Sequence, residues 1–252
     1  VIETKRDLSN LFKRDISDYY FEVLSKRYQL TNRINDSVYD HSETVTGRMK
    51  ITSGVNYLTM KKDMRSLIDI KPGNTLVEID IKSCEPALLH AILYNSSPKD
   101  LYGHFGKNNP RSKVKLAVIS SIYGSSVQKV RKMTGLPKED ILAIRNHFKL
   151  DDIKNYILKE YEKNGYFCNL YGRPINSVNS PINYWLQSSA ADYACLAFLN
   201  LIDRANFNLR AVIHDAVLLE LNQEEIKIAK NLKKIKDPIS NICLNVEYSV
   251  IK

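Results

Sequence analysis

Thr75-Leu76-Val77-Glu78-Ile79-Asp80-Ile81 is dominated by β-branched and apolar residues and follows a Lys71-Pro72-Gly73-Asn74 turn. It is too short for a helix and predicts a buried strand ending near Asp80. Two further apolar runs, Leu209–Ile213 and Val217–Leu221, flank His214-Asp215-Ala216 and predict a β-hairpin with an aspartate at its tip. Between these strands lie helical patterns. Asn109-Pro110 reads as an N-cap followed by the first residue of a helix that runs through Ile122 and stops near Tyr123-Gly124. A longer pattern covers roughly Tyr184 to Leu201, and apolar positions at helical spacing from Ile2 to Leu30, among them Leu8, Leu11, Phe12 and Ile16, predict one or two opening helices before a polar stretch from Asn32 to Gly47. Strands and helices in this irregular order predict an α+β fold with an antiparallel sheet.

With 44% hydrophobic and 26% charged residues, the 252-residue chain can bury a core, which excludes disorder as its main state. Its 37 Lys and Arg against 28 Asp and Glu leave a net charge of +9, suited to a polyanion. Cys84, Cys168, Cys195 and Cys243 are scattered without a CxxC pair, against a zinc site or a disulfide framework. No apolar run approaches the roughly 18 to 20 residues of a membrane span, and the opening Val-Ile-Glu-Thr-Lys-Arg-Asp lacks a signal peptide's apolar core. A soluble, intracellular protein with no membrane partner is expected.

Asp80 at a strand end and Asp215 at a hairpin tip are two carboxylates on rigid backbone, each unremarkable alone. Together they match what phosphoryl transfer asks for, a pair of divalent ions about 3.5 to 4 Å apart. Arg111 and Lys115 lie four apart near the start of the predicted helix, with Ile119 and Tyr123 continuing the same face. Cations at a helix N-terminus oppose its dipole, a conflict that a bound triphosphate would relieve. A solvated basic face is the plainer alternative.

These segments resemble, in order, the motifs of family A (DNA polymerase I-like) DNA polymerases. Glu78-Ile79-Asp80-Ile81-Lys82-Ser83-Cys84-Glu85 resembles motif A, Arg111-Ser112-Lys113-Val114-Lys115 continuing to Ile122-Tyr123-Gly124 is similar to motif B, and Ile213-His214-Asp215-Ala216 resembles motif C. Thr46-Gly47-Arg48 looks like the family's minor-groove arginine motif and Tyr171-Gly172-Arg173 like its Gly-Arg turn. Asn183 and Gln187-Ser188-Ser189-Ala190-Ala191-Asp192 resemble the helix whose amides touch template and primer. The likeness runs from about Thr46 to the C-terminus.

The resemblance implies a right-hand fold with an antiparallel-sheet palm, helical fingers and a reduced thumb. Residues 1–45 are expected to be a helical N-terminal segment or thumb remnant, 46–100 and 173–252 the palm, and 101–172 the fingers. It also implies a template-directed DNA polymerase adding deoxynucleotides to a primer 3′-hydroxyl, without a proofreading domain in this chain. Asp80 and Asp215 would be the catalytic metal ligands, for two Mg2+ ions or Mn2+ in their place. Arg111, Lys115, Ile119, Tyr123 and Glu85 would bind the nucleotide, with Glu85 excluding a ribose hydroxyl. Arg48, Arg173, Asn183, Gln187 and His214 would hold primer-template DNA. A processivity factor, helicase or other replication protein is the expected protein partner.

Three positions depart from the family pattern. Ala216 stands where many members have a glutamate, Ile119 where an aromatic is usual, and Asn179 where an arginine is often found. Ala216 and Ile119 lean toward a single-subunit RNA polymerase-like enzyme, against Glu85, Arg48 and the Gln187 helix, which lean toward DNA synthesis. A catalytically silent nucleic-acid-binding module is the alternative from another class.

Overall fold

The computed structural model describes Lys26 and residues 37–42, 44–105 and 109–252. The helical pattern expected between Ile2 and Leu30 falls almost wholly outside the described residues. By their contacts, the described residues divide into two units, 85–189 and those up to Cys84 together with 190–252.

The sheet unit contains strands β1 (Ser37–Asp40), β2 (Lys50–Gly54) and β3 (Thr75–Ile81). Strand β1 lies inside the stretch expected to be helical or merely polar; Val38 and Tyr39 supply the β-branched and aromatic character a strand favours. It pairs with β2 across a bulge, and the Tyr39 hydroxyl donates to the Val212 carbonyl at 3.0 Å. Strands β6 (Asn208–Ile213), β7 (Ala216–Leu221), β8 (Lys234–Lys236) and β9 (Cys243–Val250) join β3 in a five-stranded sheet of order β6-β7-β3-β9-β8. Every pairing is antiparallel.

Alternation along β3 sends Val77, Ile79 and Ile81 to one face and Leu76, Glu78 and Asp80 to the other. On the second face, Leu76 joins Ala211, Ile213, Ala216 and Leu218 in a core closed by Tyr57 and Ile68. Asp80 stands at the end of the strand, beyond that cluster. At the other end, buried Glu220 accepts from the Lys71 backbone N–H at 2.9 Å and Asn74 Nδ2 at 2.7 Å, which fastens the turn before β3 to β7.

In the helical unit, α1 (Cys84–Tyr94), whose first residue belongs to the sheet unit, precedes α2 (Arg111–Ile122), α3 (Val127–Thr134), α4 (Lys138–His147) and α5 (Leu150–Asn164). A short pair, β4 (Phe167–Cys168) and β5 (Pro174–Ile175), leads to α6 (Pro181–Ala205), within which the division between the units falls. After β7 comes α7 (Gln223–Asn231), opened by an Asn222–Glu225 capping box. No described helix is long and apolar enough to cross a membrane.

Helix α2 buries Val114, Ala117, Val118 and Ile122 on one face, the spacing an amphipathic helix requires. Pro110, rather than Asn109, is its N-cap: the Pro110 carbonyl accepts from the N–H groups of Lys113 and Val114. Asn109 instead donates through Nδ2 to Asp140 at 3.2 Å. The helix stops where expected, because Gly124 takes a left-handed φ of 84° and the Ser125 N–H closes on the Ser120 carbonyl.

The helical unit extends beyond the 101–172 segment at both ends for reasons visible in its bonds. On α1, His90 Nδ1 meets His147 Nε2 at 2.9 Å and the Tyr94 hydroxyl donates to the His147 carbonyl at 2.6 Å. At the start of α6, Ser188 accepts from Asn169 Nδ2 and Ser189 from the Leu170 N–H, both at 3.0 Å.

Candidate nucleotidyl-transfer site

Asp80 and Asp215 are brought together by the sheet register. Asp80 pairs with Ala216 on β7, so the residue before Ala216 lies beside the end of β3, and the Ile81 N–H donates to the Asp215 carbonyl at 2.9 Å. His214 occupies the first position of the two-residue turn with φ 51°, which the local geometry of a tight hairpin demands. Sequence spacing could not supply this pairing, since the two aspartates lie far apart in the chain.

Two more carboxylates share that face. Glu78 is two residues before Asp80, and Glu247 on β9 is directly opposite it. Buried Glu78 binds Lys62 Nζ at 2.8 Å and the Arg65 guanidinium, both from a 3-10 turn at Lys62–Leu67. Glu247 pairs with Lys82 at 2.9 Å. Burial, then the charges of Asp215, Glu78 and Glu247, push the Asp80 carboxyl up to about 7, with Lys62 opposing. Glu78 was legible from strand parity. Glu247 was not, because only the tertiary pairing of β9 puts it beside β3.

Among the described residues, no group of three or more His, Cys, Asp or Glu side chains could hold a metal ion by itself. Asp80 and Asp215 are therefore a two-carboxylate set of hard oxygen donors. That set fits Mg2+, which keeps several waters and commonly takes one or two carboxylates plus substrate phosphates. The raised Asp80 pKa is the electrostatic counterpart, because a cation relieves repulsion that otherwise favours the protonated acid.

Arg48 lies in the same unit, in a turn set by Gly47 at φ 64° and by the Thr44 hydroxyl donating to the Arg48 carbonyl at 2.8 Å. Partial desolvation and the Arg48 charge lower the His214 imidazole pKa, against a smaller opposing pull from Asp215. The imidazole is thereby biased toward the neutral form, able to accept as well as donate.

In the helical unit, Arg111, Lys115 and Tyr123 are exposed and Ile119 is half-buried along the open face of α2, as the spacing predicts. Arg111 is not a bare cation at the helix end, for Asp100 lies 3.7 Å from its Nε and the Tyr102 ring lies 5.1 Å below its guanidinium. The Tyr123 hydroxyl donates to Glu85 at 2.7 Å. That bond joins two of the residues expected to bind the nucleotide, and a linear reading missed it.

Tyr171-Gly172-Arg173 is held by Asn169, whose Oδ1 accepts from the N–H groups of Tyr171 and Arg173, both at 2.9 Å. Arg173 is buried within this turn. Asn183 and Gln187 are half-buried on the first turns of α6. Asn183, Tyr123, Gly124, Arg145 and Asn179 help to line a cavity of about 170 Å³. Asn183 Oδ1 is buried with no hydrogen-bond partner among the described residues.

The mixed α/β architecture with its antiparallel sheet is similar to that of a solved polymerase domain. It matches the solved POL domain of Pol1 from M. smegmatis in complex with DNA primer-template and dNTP with a TM-score of 0.59 and 16% identity, covering 91% of this chain and 50% of that one. The sequence is similar to the DNA polymerase of Mycobacterium phage D29, 26% identical over an alignment of 211 positions that covers 71% of this chain and 34% of the phage protein. It is also similar to the DNA polymerase of Mycobacterium phage L5, 24% identical over an alignment of 207 positions that covers 73% of this chain and 34% of that protein. The chain thus spans about a third of the length of the curated relatives it matches. No family model matches it.

Proposed function

We propose that this chain is the palm-and-fingers core of a family A DNA polymerase, extending a primer on a DNA template. The observation that carries the proposal is the backbone-fixed pairing of Asp80 with the Asp215 hairpin, on a sheet whose fold is shared with a polymerase domain. Residues 46–100 and 173–252 serve as palm and 101–172 as fingers. Asp80 and Asp215 would hold two Mg2+ ions, which when bound would supply charge neutralisation and activation of the primer hydroxyl. Lys62 and Arg65 neutralise Glu78, so the excess negative charge beside the strand end is concentrated on the aspartates.

Arg111 and Lys115 bind the triphosphate through charge-assisted hydrogen bonds. Arg111 must exchange its Asp100 contact for phosphate, which makes nucleotide binding a competition rather than the filling of an empty site. Glu85, oriented by the Tyr123 hydroxyl, lies against the sugar and disfavours a 2′-hydroxyl. Tyr123 and Ile119 carry the rest of the nucleotide contact. Arg48, Arg173, Asn183, Gln187 and His214 hold primer-template DNA, with the free Asn183 Oδ1 supporting a polar role on that side. The biological setting is DNA replication, with a processivity factor, helicase or other replication protein as partner.

Primer extension with the purified chain, Mg2+ and either deoxy- or ribonucleotides tests this directly. Template-directed addition with deoxynucleotides preferred is expected. Preference for ribonucleotides would transfer the case to an RNA polymerase, and absence of any addition would leave a binding module.

A further inference from the structure

The sheet unit carries a second concave surface, a cavity of about 360 Å³ between the C-terminal half of α6, the end of α7 and β8. Its volume is within the range of sites that accept sizeable ligands, roughly 300 to 1,000 Å³. Leu201, Ile228, Leu232 and Ile235 give it an apolar lining, and Arg204, Lys234 and Lys236 are its cations; none of its ten lining residues is acidic. The walls are fixed to each other, because Asn200 Nδ2 of α6 donates to the Lys236 carbonyl of β8 at 3.1 Å.

Each cation has a structural use. Lys234 and Lys236 guard an edge strand, since among the described residues β8 has a sheet neighbour only in β9, and Arg204 lies in the last turn of α6, where a positive charge complements the helix dipole. Ile235 belongs to the buried core, whereas the exposed part of the apolar lining has no such use. Ile228 is 54% exposed, while the neighbouring Ala229 carries the buried side of α7.

We propose that this groove docks an acidic, leucine- or isoleucine-bearing segment of a partner protein. Charge complementarity selects an acidic partner. The apolar lining selects a peptide over nucleic acid, because phosphates would satisfy the three cations and leave Ile228 and Leu232 in water. Docking here goes beyond polymerase chemistry and requires none of the residues assigned to it.

The test uses a fluorescein-labelled acidic peptide with leucines at i and i+4, its Leu→Ser counterpart and a short DNA duplex, read by fluorescence anisotropy. The leucine peptide should bind saturably, and the serine peptide about tenfold more weakly or worse. Ile228→Ser and Lys234→Glu should each weaken the leucine peptide by about tenfold, the scale of an interface anchor, while their primer-extension activity is unchanged. Both changes are at exposed positions, and a retained melting transition verifies their folding. Asp80→Asn should bind the peptide like wild type, so loss of the polymerase reading would leave this one standing. Equal binding of the two peptides, or unchanged affinity in both variants, overturns the proposal. Displacement of the leucine peptide by duplex, with duplex binding weakened by Lys234→Glu and untouched by Ile228→Ser, assigns the groove to nucleic acid and overturns it too. Self-association abolished by Ile228→Ser would assign the face to a second copy.

Discussion

The sheet unit and the helical unit handle charge in opposite ways. Asp80 and Asp215 are short side chains, one near the end of a strand and one in the tight turn beside it, and the hydrogen bond from Ile81 to the Asp215 carbonyl joins their backbones. Arg111 and Lys115 are long side chains on the exposed face of α2, and Arg111 already has Asp100 and Tyr102 as partners. A metal site needs donors held within a fraction of an ångström, which a sheet supplies. A charged substrate that must enter and leave is better served by side chains that can change partners.

The sharpest way to break this contrast is on the sheet. Asp80→Asn or Asp215→Asn should lower nucleotide incorporation by on the order of a thousandfold or more, with primer-template affinity, measured by anisotropy, changed little because phosphate contacts dominate it. Turnover close to wild type would remove the carboxylates from the mechanism. On stability the same Asp80 change should act the other way. With a folded-state pKa of about 7 against about 4 in the unfolded chain, wild-type stability falls as pH rises through that interval and remains lower above it. At pH values above it, metal-free Asp80→Asn should melt about 2 to 4 °C higher, corresponding to about 1 kcal/mol after allowance for solvent screening. The difference should vanish in acid.

Changes on α2 should be graded rather than absolute. Arg111→Ala and Lys115→Ala are each expected to raise KM for deoxynucleotide about ten- to a hundredfold, the loss of one charge-assisted contact, with a smaller fall in kcat. A fall in kcat alone, measured by steady-state extension, would place these cations in the chemical step and dissolve the contrast. Glu85→Ala should raise relative ribonucleotide use by on the order of ten- to a hundredfold. Tyr123→Phe should reproduce a few-fold part of that effect, since it removes the 2.7 Å bond from the Tyr123 hydroxyl to that carboxylate. Identical sugar ratios in wild type and both variants would dissociate Glu85 from sugar selection.

The smallest expected effect concerns pH and the helical unit alone. His147 is packed with His90, His104 and Tyr94, and His90 also meets Ser96. Burial first, then the neighbouring histidines, depress His147 to about 4. The unfolded chain therefore protonates before the folded one, and stability present above about pH 6.5 declines as pH falls toward about 4. Urea midpoints across that window should show the decline, and His147→Gln should flatten it. An unchanged slope would remove His147 as its source.

Much of this was readable in the linear chain because local physics decided it. The β-branched run Thr75–Ile81 forms the strand it predicts, Gly124 ends α2 by adopting a left-handed φ, and the two runs around His214-Asp215 form a tight hairpin. The four-residue spacing of Arg111, Lys115, Ile119 and Tyr123 gives one helix face because helical geometry is set by the backbone. Asn109 shows where local preference yields: an asparagine suited to capping bonds Asp140, a partner supplied by another helix.

Tertiary structure decided which of these local features meet. Glu247 comes opposite Asp80 only because β9, from the end of the chain, pairs with β3. His147 acquires its depressed pKa because folding buries it and sets His90 and His104 beside it, and the Asn169 side chain that brackets the Arg173 turn is anchored through its Nδ2 by Ser188 of α6. Sequence by itself determined the β3 strand, the His214-Asp215 hairpin, the end of α2 and the identity of the charges, since each depends on residues within a turn or two. Strand register and helix packing determined the neighbours of those charges, and hence their pKa values and partners, because these depend on residues that are distant along the chain and adjacent only after folding.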